Sequence, residues 1–236
     1  MKLSDIFTQL AHGELIQLPL IDSGTGLIAA SKHASVVSHV NMGLTALYTR
    51  FNLKENRLSF ALRPPQVNYP LTSIEDIRSL GEDEFNDDIL KVERVYTAGG
   101  VELSLNDASD LYGCSTPSAA VLRVPLAIVT KAPGLPDDLL TDTLEVAYRA
   151  NHPIIVYAAN GFNPGRIEME LPHTHLAALL LYVASRVHNP IGMSNEFHAG
   201  NSYYAKYEAA CTRLENDGLD VDQGSQNTRA QRNGWV

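Results

Sequence analysis

The residues best suited to chemistry lie close together in the last third of the chain: His173-Thr174-His175, with Glu168 and Glu170 upstream and His188 and His198 downstream. On a strand, imidazoles at i and i+2 point to the same side, and with a nearby carboxylate they would form a zinc or iron set. At the start of a helix the same spacing turns them apart. Pro172, a residue accepted at the first helical position, and the apolar stripe beginning at Leu176 place the pair in a first helical turn. The expectation is therefore a capping or surface role for both histidines, without metal or cofactor. A metal-dependent enzyme centred on His173 and His175 is the alternative of a different class.

Other chemistries find less support. There is no Gly-x-Ser-x-Gly elbow, and Cys114 and Cys211 lie far apart without CxxC spacing or a histidine neighbour. Gly24-Thr25-Gly26 lacks the third glycine of a dinucleotide fingerprint and the Gly-Lys-Ser/Thr ending of a phosphate loop, so it reads as a turn. Residues 73 to 88 hold Glu75, Asp76, Glu82, Asp83, Glu84, Asp87 and Asp88 against one cation, Arg78. Without the alternating ligands and closing glutamate of a calcium loop, this stretch reads as a solvated acidic helix or loop. No catalytic residue emerges, and the chain is expected not to be an enzyme.

The whole-chain balance points the same way. At 236 residues the chain can bury a core without disulfides. Its net charge of -9 and pI near 5.3 are the reverse of a nucleic-acid binder's basic footprint. The first residues lack the apolar region of a signal peptide, and no apolar run reaches the roughly 20 residues that span a bilayer.

The elements that must position these residues follow from periodicity. Leu3, Ile6, Phe7 and Leu10 predict a short helix that Ser4 or Asp5 caps and Gly13 ends, followed by an irregular stretch to about residue 31. Val36, Val40, Leu44, Leu47 and Phe51 predict a longer helix over about 32–50. Leu58, Phe60 and Leu62 alternate as a strand that Pro64-Pro65 stops. Further strands are expected over 89–95, 101–105, 120–129, 143–149, 154–157 and 166–171, separated by turn signals such as Gly99-Gly100 and Pro133-Gly134. Helices over 172–188 and 196–216 close the pattern, the second with a seam of Phe197, Tyr204, Tyr207, Cys211 and Leu214 suited to packing on another helix or subunit, with Tyr203 beside it. Asn189-Pro190 separates them. These two helices are expected to pack as an antiparallel pair.

The expected fold class is α+β: a bundle of about four helices, an inserted small antiparallel β-sheet or barrel domain, and an extended C-terminal arm. The expected boundaries are 1–52 for the first helical part, 53–170 for the β-rich insertion, 171–217 for the closing helical pair and 218–236 for the arm. The arm carries Asp220, Asp222, Arg229 and Arg232 and almost nothing to bury until Trp235, the only tryptophan of the chain. A large aromatic on a polar extension suits a docking peptide.

Three stretches carry a family resemblance: the start Leu3-Ser4-Asp5-Ile6-Phe7, the helix end Leu44-Thr45-Ala46-Leu47-Tyr48-Thr49-Arg50-Phe51, and Ile167-Glu168-Met169-Glu170-Leu171-Pro172 leading into Ala177 to Arg186. The aromatic helix with Tyr203, Tyr204, Tyr207 and Glu208 adds to them. In these stretches, and in the order of its parts, the chain resembles the head-to-tail adaptor (connector) proteins of short-tailed phages. The resemblance implies a ring of subunits, typically twelve, at the head-tail junction of a virion and assembled in the host cytoplasm. Its helices would form the ring body and its C-terminal arm would grip the portal protein through Arg229, Arg232 and Trp235. The lower face would receive the tail tube or nozzle, and double-stranded DNA would pass through without specific binding. The nearest rival is another tail subunit, a tail-tube or tail-completion protein.

Overall fold

The computed structural model describes residues 1–72, 77–81, 84–188 and 195–218, without the side chains of 195–198. The chain folds as α+β and divides into two compact units. A helical unit comprises Met1–Leu53 and the chain from Ile154 onward, and a sheet unit comprises Lys54–Pro153.

In the helical unit, α1 (Leu3–His12) and α2 (His33–Arg50) come from the first part of the chain, and α4 (Leu176–Val187) and α5 (Asn195–Asn216) from the last. Leu3, Ile6, Phe7 and Leu10 are buried along α1, as their spacing requires. Asp5 caps the start of α1 from inside its first turn, its carboxylate accepting the Lys2 N–H at 3.1 Å. On α2 the predicted stripe of Val36, Val40, Leu44 and Leu47 is buried, together with Val37 and Tyr48, and Phe51 is buried just beyond it. Helix α4 is the hub, packing against α1, α2 and α5. It accordingly buries more than one face: Ala178, Leu179, Leu180, Tyr182, Val183, Ala184 and Ser185.

The pair α4 and α5 is antiparallel, because Tyr182 meets Tyr207 at 5.2 Å between ring centroids while His188, further along α4, stacks on the earlier Tyr203 at 4.9 Å. Gly43 of α2 sits where a Cβ would lie 2.7 Å from Leu179 Cδ1, so this glycine lets α2 and α4 approach closely.

In the sheet unit, β1 (Glu55–Ala61), β3 (Arg78–Ser79), β4 (Ile89–Thr97), β5 (Glu102–Leu103) and β8 (Thr143–Ala150) form a five-stranded antiparallel sheet in the order β3-β1-β8-β4-β5. The central strand β8 alternates as a half-buried strand should. Leu144, Val146, Tyr148 and Ala150 are at most 2 % exposed and join Leu58, Phe60, Val92 and Val95 in one core. The other face carries cross-strand ion pairs, Arg94 with Glu55 at 3.0 Å and Arg149 with Glu93 at 2.9 Å. A second sheet of β2 (Asn68–Pro70), β6 (Ser115–Ser118) and β7 (Val121–Arg123) has the order β2-β7-β6.

The structure corrects several expectations. The apolar run 120–129 is not one strand: β7 ends at Arg123, and Pro125, which has no N–H for a ladder, leads into the one-turn helix α3 (Leu126–Val129). Residues 154–157 form no strand. Residues 166–171 reduce to a 3-10 turn at Pro164–Arg166 and a single bridge between Glu168 and Lys2.

The expected boundary at 170 is also wrong, since the chain returns to the helical unit at Ile154. The Asn41 side chain of α2 accepts the Ile155 N–H at 3.0 Å and donates to its carbonyl at 2.9 Å. Leu3 N–H reaches Ile167 O at 3.0 Å, and Met169 N–H reaches Met1 O at 2.8 Å. These bonds tie 154–171 to α1 and α2. Glu75, Asp76, Glu82 and Asp83 lie outside the described residues. The described part of that acidic stretch takes the loop form apart from the short strand β3, with Ile77 packed against the sheet core. Asp88 is structural: it accepts the Tyr148 hydroxyl at 3.0 Å.

Candidate functional site

The two candidate metal ligands part company. Pro172 caps a 3-10 turn over His173–His175 that precedes α4, so the pair sits just before the helix rather than in its first turn. His173 is exposed, whereas His175 is fully buried, with its ring edge-on to Phe51 at 4.7 Å and its Nδ1 3.0 Å from the Thr174 hydroxyl. Glu168 and Glu170 are exposed, and the Glu170 carbonyl accepts the Tyr48 hydroxyl. His188 Nε2 lies 3.0 Å from the Glu14 carbonyl, and the His198 side chain lies outside the described residues. Among the described residues no group of three or more His, Cys, Asp or Glu side chains could hold a metal ion.

Both thiols are buried. Burial pushes Cys114 up to about 12 and raises Cys211 as well, so neither offers a thiolate at neutral pH.

What the structure does assemble is a polar and aromatic cluster where α2, α4 and α5 meet. Arg50, the last residue of α2, donates from Nη1 to Glu208 Oε2 at 2.6 Å and from Nε and Nη2 to the two oxygens of Glu215 at 2.7 and 3.3 Å. One guanidinium thus clamps two turns of α5, and the bidentate half of the contact uses its planar fork. Behind the clamp, Tyr207, Cys211 and Leu214 are buried against α4, as the seam predicts. Tyr203 is half-buried. Tyr204 is 44 % exposed and lines an open cleft with Ser185, Arg186, Gly200 and Asn201. Residues Arg229, Arg232 and Trp235 of the predicted arm lie outside the described residues.

The spacing of the seam reveals its buried half. It does not reveal the clamp, whose members are 158 and 165 positions apart, nor the cleft.

The clamp makes a small pH-dependent contribution. The hydrogen bond from Arg50, and then its charge, lower the Glu215 carboxyl below its ordinary value. A group with a depressed folded pKa stabilises the fold above its unfolded pKa, near 4.3 for glutamate, and loses that contribution as pH falls through the folded value. Because the Glu215 side chain is 43 % exposed, solvent screening keeps the effect below about 1 kcal/mol. Glu215→Gln should therefore lower the urea midpoint slightly at pH 7, by an amount that shrinks as the pH falls below the ordinary glutamate value. A deficit that does not change with pH would remove the charge from the explanation.

Compared with known proteins, the chain matches no family model and no curated protein. No described helix is long and apolar enough to cross a membrane.

Proposed function

We propose that this chain is a virion structural protein, a head-to-tail adaptor that forms a ring joining a phage portal to the tail around the DNA exit channel. One observation carries the reading. Three of the stretches on which the resemblance rests, distant in sequence, converge in a single packed cluster: Arg50 at the end of α2, Tyr182 within Ala177–Arg186 of α4, and Tyr207 with Glu208 on α5.

The helical unit is then the ring body, with copies of the chain as its first partners. The arm with Arg229, Arg232 and Trp235 grips the portal, and the far side receives the tail tube or nozzle. A net charge of -9 favours passage of DNA without capture.

Negative-stain imaging of the purified protein, alone and with its portal, tests the reading. Closed rings that seat on the portal are expected, and removal of 219–236 should leave the rings intact while sharply weakening the seat. A long tube would make the chain a tail-tube subunit. A monomer that retains stoichiometric zinc or iron, lost in a His173→Ala, His175→Ala double variant, would make it an enzyme.

A further inference from the structure

Arg50, Arg57, Arg94 and Arg149 are each neutralised by a carboxylate within the chain. Arg186 of α4 is not: among the described residues no acidic side chain pairs with it. It is nevertheless held in position. One Nη donates to the Tyr182 hydroxyl at 3.3 Å, and the guanidinium carbon sits 5.1 Å from the centroid of the same ring. A guanidinium has five N–H donors, of which one is used among the described residues, and the exposed Arg186 lines an open cleft with Ser185, Gly200, Asn201 and Tyr204. The exposed Asn201 adds an amide to its wall. The Tyr204 hydroxyl is hydrogen-bonded to Glu208, a carboxylate that Arg50 already neutralises. His39 of α2 lies near enough to feel the Arg186 charge, and its Nδ1 is buried without a hydrogen-bond partner among the described residues.

A positioned planar fork with free donors in a polar cleft is built for a carboxylate. The chain itself supplies carboxylates, unevenly. The sheet unit carries 16 acidic against nine basic residues, net -7, while the rest of the chain carries 11 against nine, net -2. Glu84, Glu102, Asp137 and Asp138 of the sheet unit are exposed and pair with no cation among the described residues.

We propose that the Arg186 cleft, on the helical unit, receives an acidic side chain from the sheet unit of a second copy of the chain, so that each subunit offers both a guanidinium cleft and an acidic unit to its neighbours. Such a contact is heterologous, and repetition around an axis closes it into a ring. The inference rests on the ring reading above and names the contact that would build the ring.

Light scattering on a sizing column, with imaging, tests both faces. The wild type should form rings. Arg186→Glu and Arg186→Gln should run as monomers with an unchanged circular dichroism spectrum, their self-association weakened at least about tenfold, as for loss of a charged interface pair. A variant with Glu84→Gln, Glu102→Gln, Asp137→Asn and Asp138→Asn should behave alike. An equimolar mixture of Arg186→Glu with that variant should stop at dimers, because each retains one sound face. Intact rings in both Arg186 variants would overturn the cleft inference and leave the ring reading standing. A wild-type protein that remains monomeric at every concentration would overturn both. Retention of duplex DNA by the wild type, lost in Arg186→Gln, would make the ligand a phosphate and likewise overturn the inference.

Discussion

Leu179→Ala should lower the unfolding free energy by about 2 to 5 kcal/mol, the usual cost of emptying a buried leucine site, and Gly43→Ala in the same chain should recover part of that loss. Leu179 is fully buried on α4, the helix against which α1, α2 and α5 all pack, so its removal leaves a void that no surface residue can fill. In the unaltered protein Gly43→Ala meets two opposing effects. A helical alanine gains about 1 kcal/mol over glycine, but the new methyl would lie 2.7 Å from Leu179 Cδ1 and 3.0 Å from Tyr182 Cδ1. Once Leu179 is shortened, the first of those contacts is gone and the methyl partly fills the vacated space. The two substitutions should therefore couple favourably, by about 0.5 kcal/mol or more, in a double-mutant cycle measured by urea unfolding. Strict additivity would mean that α2 and α4 do not cross at Gly43.

That crossing was half-legible in the sequence. The stripe Val36, Val40, Leu44, Leu47 says which face of α2 is buried, because a 3.6-residue period has few other causes. Gly43, within the same face, carries no periodic signal, and only the position of Leu179 explains it. The same division runs through the sheet unit. Strands β1, β4 and β8 announced themselves by alternation, but Ser115–Ser118 and Asn68–Pro70 are too short and too polar to do so. Ile154-Ile155-Val156 shows the reverse error. Its composition is that of a strand, yet the backbone of Ile155 is satisfied by the Asn41 side chain instead of a neighbouring strand. A strand needs a partner, and a single sequence does not disclose one.

At the candidate site, Pro172 gave warning that His173 and His175 would not act as a strand pair. The 3-10 turn that sends one to solvent and the other against Phe51 depends on packing, which no local pattern encodes. Arg50 and Arg186 illustrate the limit most plainly: both end or nearly end a helix and read as ordinary solvated cations, but one is doubly paired with α5 and the other faces a cleft. Their difference lies in the antiparallel return of α5, a long-range property.

Phe60→Ala should be the most damaging single truncation in the sheet unit, at about 3 to 5 kcal/mol. Phe60 is 1 % exposed on β1 of the five-stranded sheet, and its ring lies 5.0 Å from that of Tyr69 on β2 of the second sheet. The pair therefore joins the two sheets, and Tyr69 is itself fixed by a 3.0 Å hydrogen bond from the Arg63 N–H to its hydroxyl. Removing Phe60 loses the buried apolar area, the aromatic contact and the support for that hydroxyl together. Because Leu58, Phe60, Val92, Val95, Leu144, Val146 and Tyr148 belong to one continuous core, the loss should be shared across β1, β8 and β4 rather than confined to β1. Hydrogen exchange followed by mass spectrometry should show faster exchange throughout those strands, with α2 and α4 retaining their protection, as expected where each unit holds its own buried residues. Loss of protection in α2 and α4 to the same degree would show that the helical unit cannot hold its fold without the sheet, and the chain would then unfold as one cooperative body.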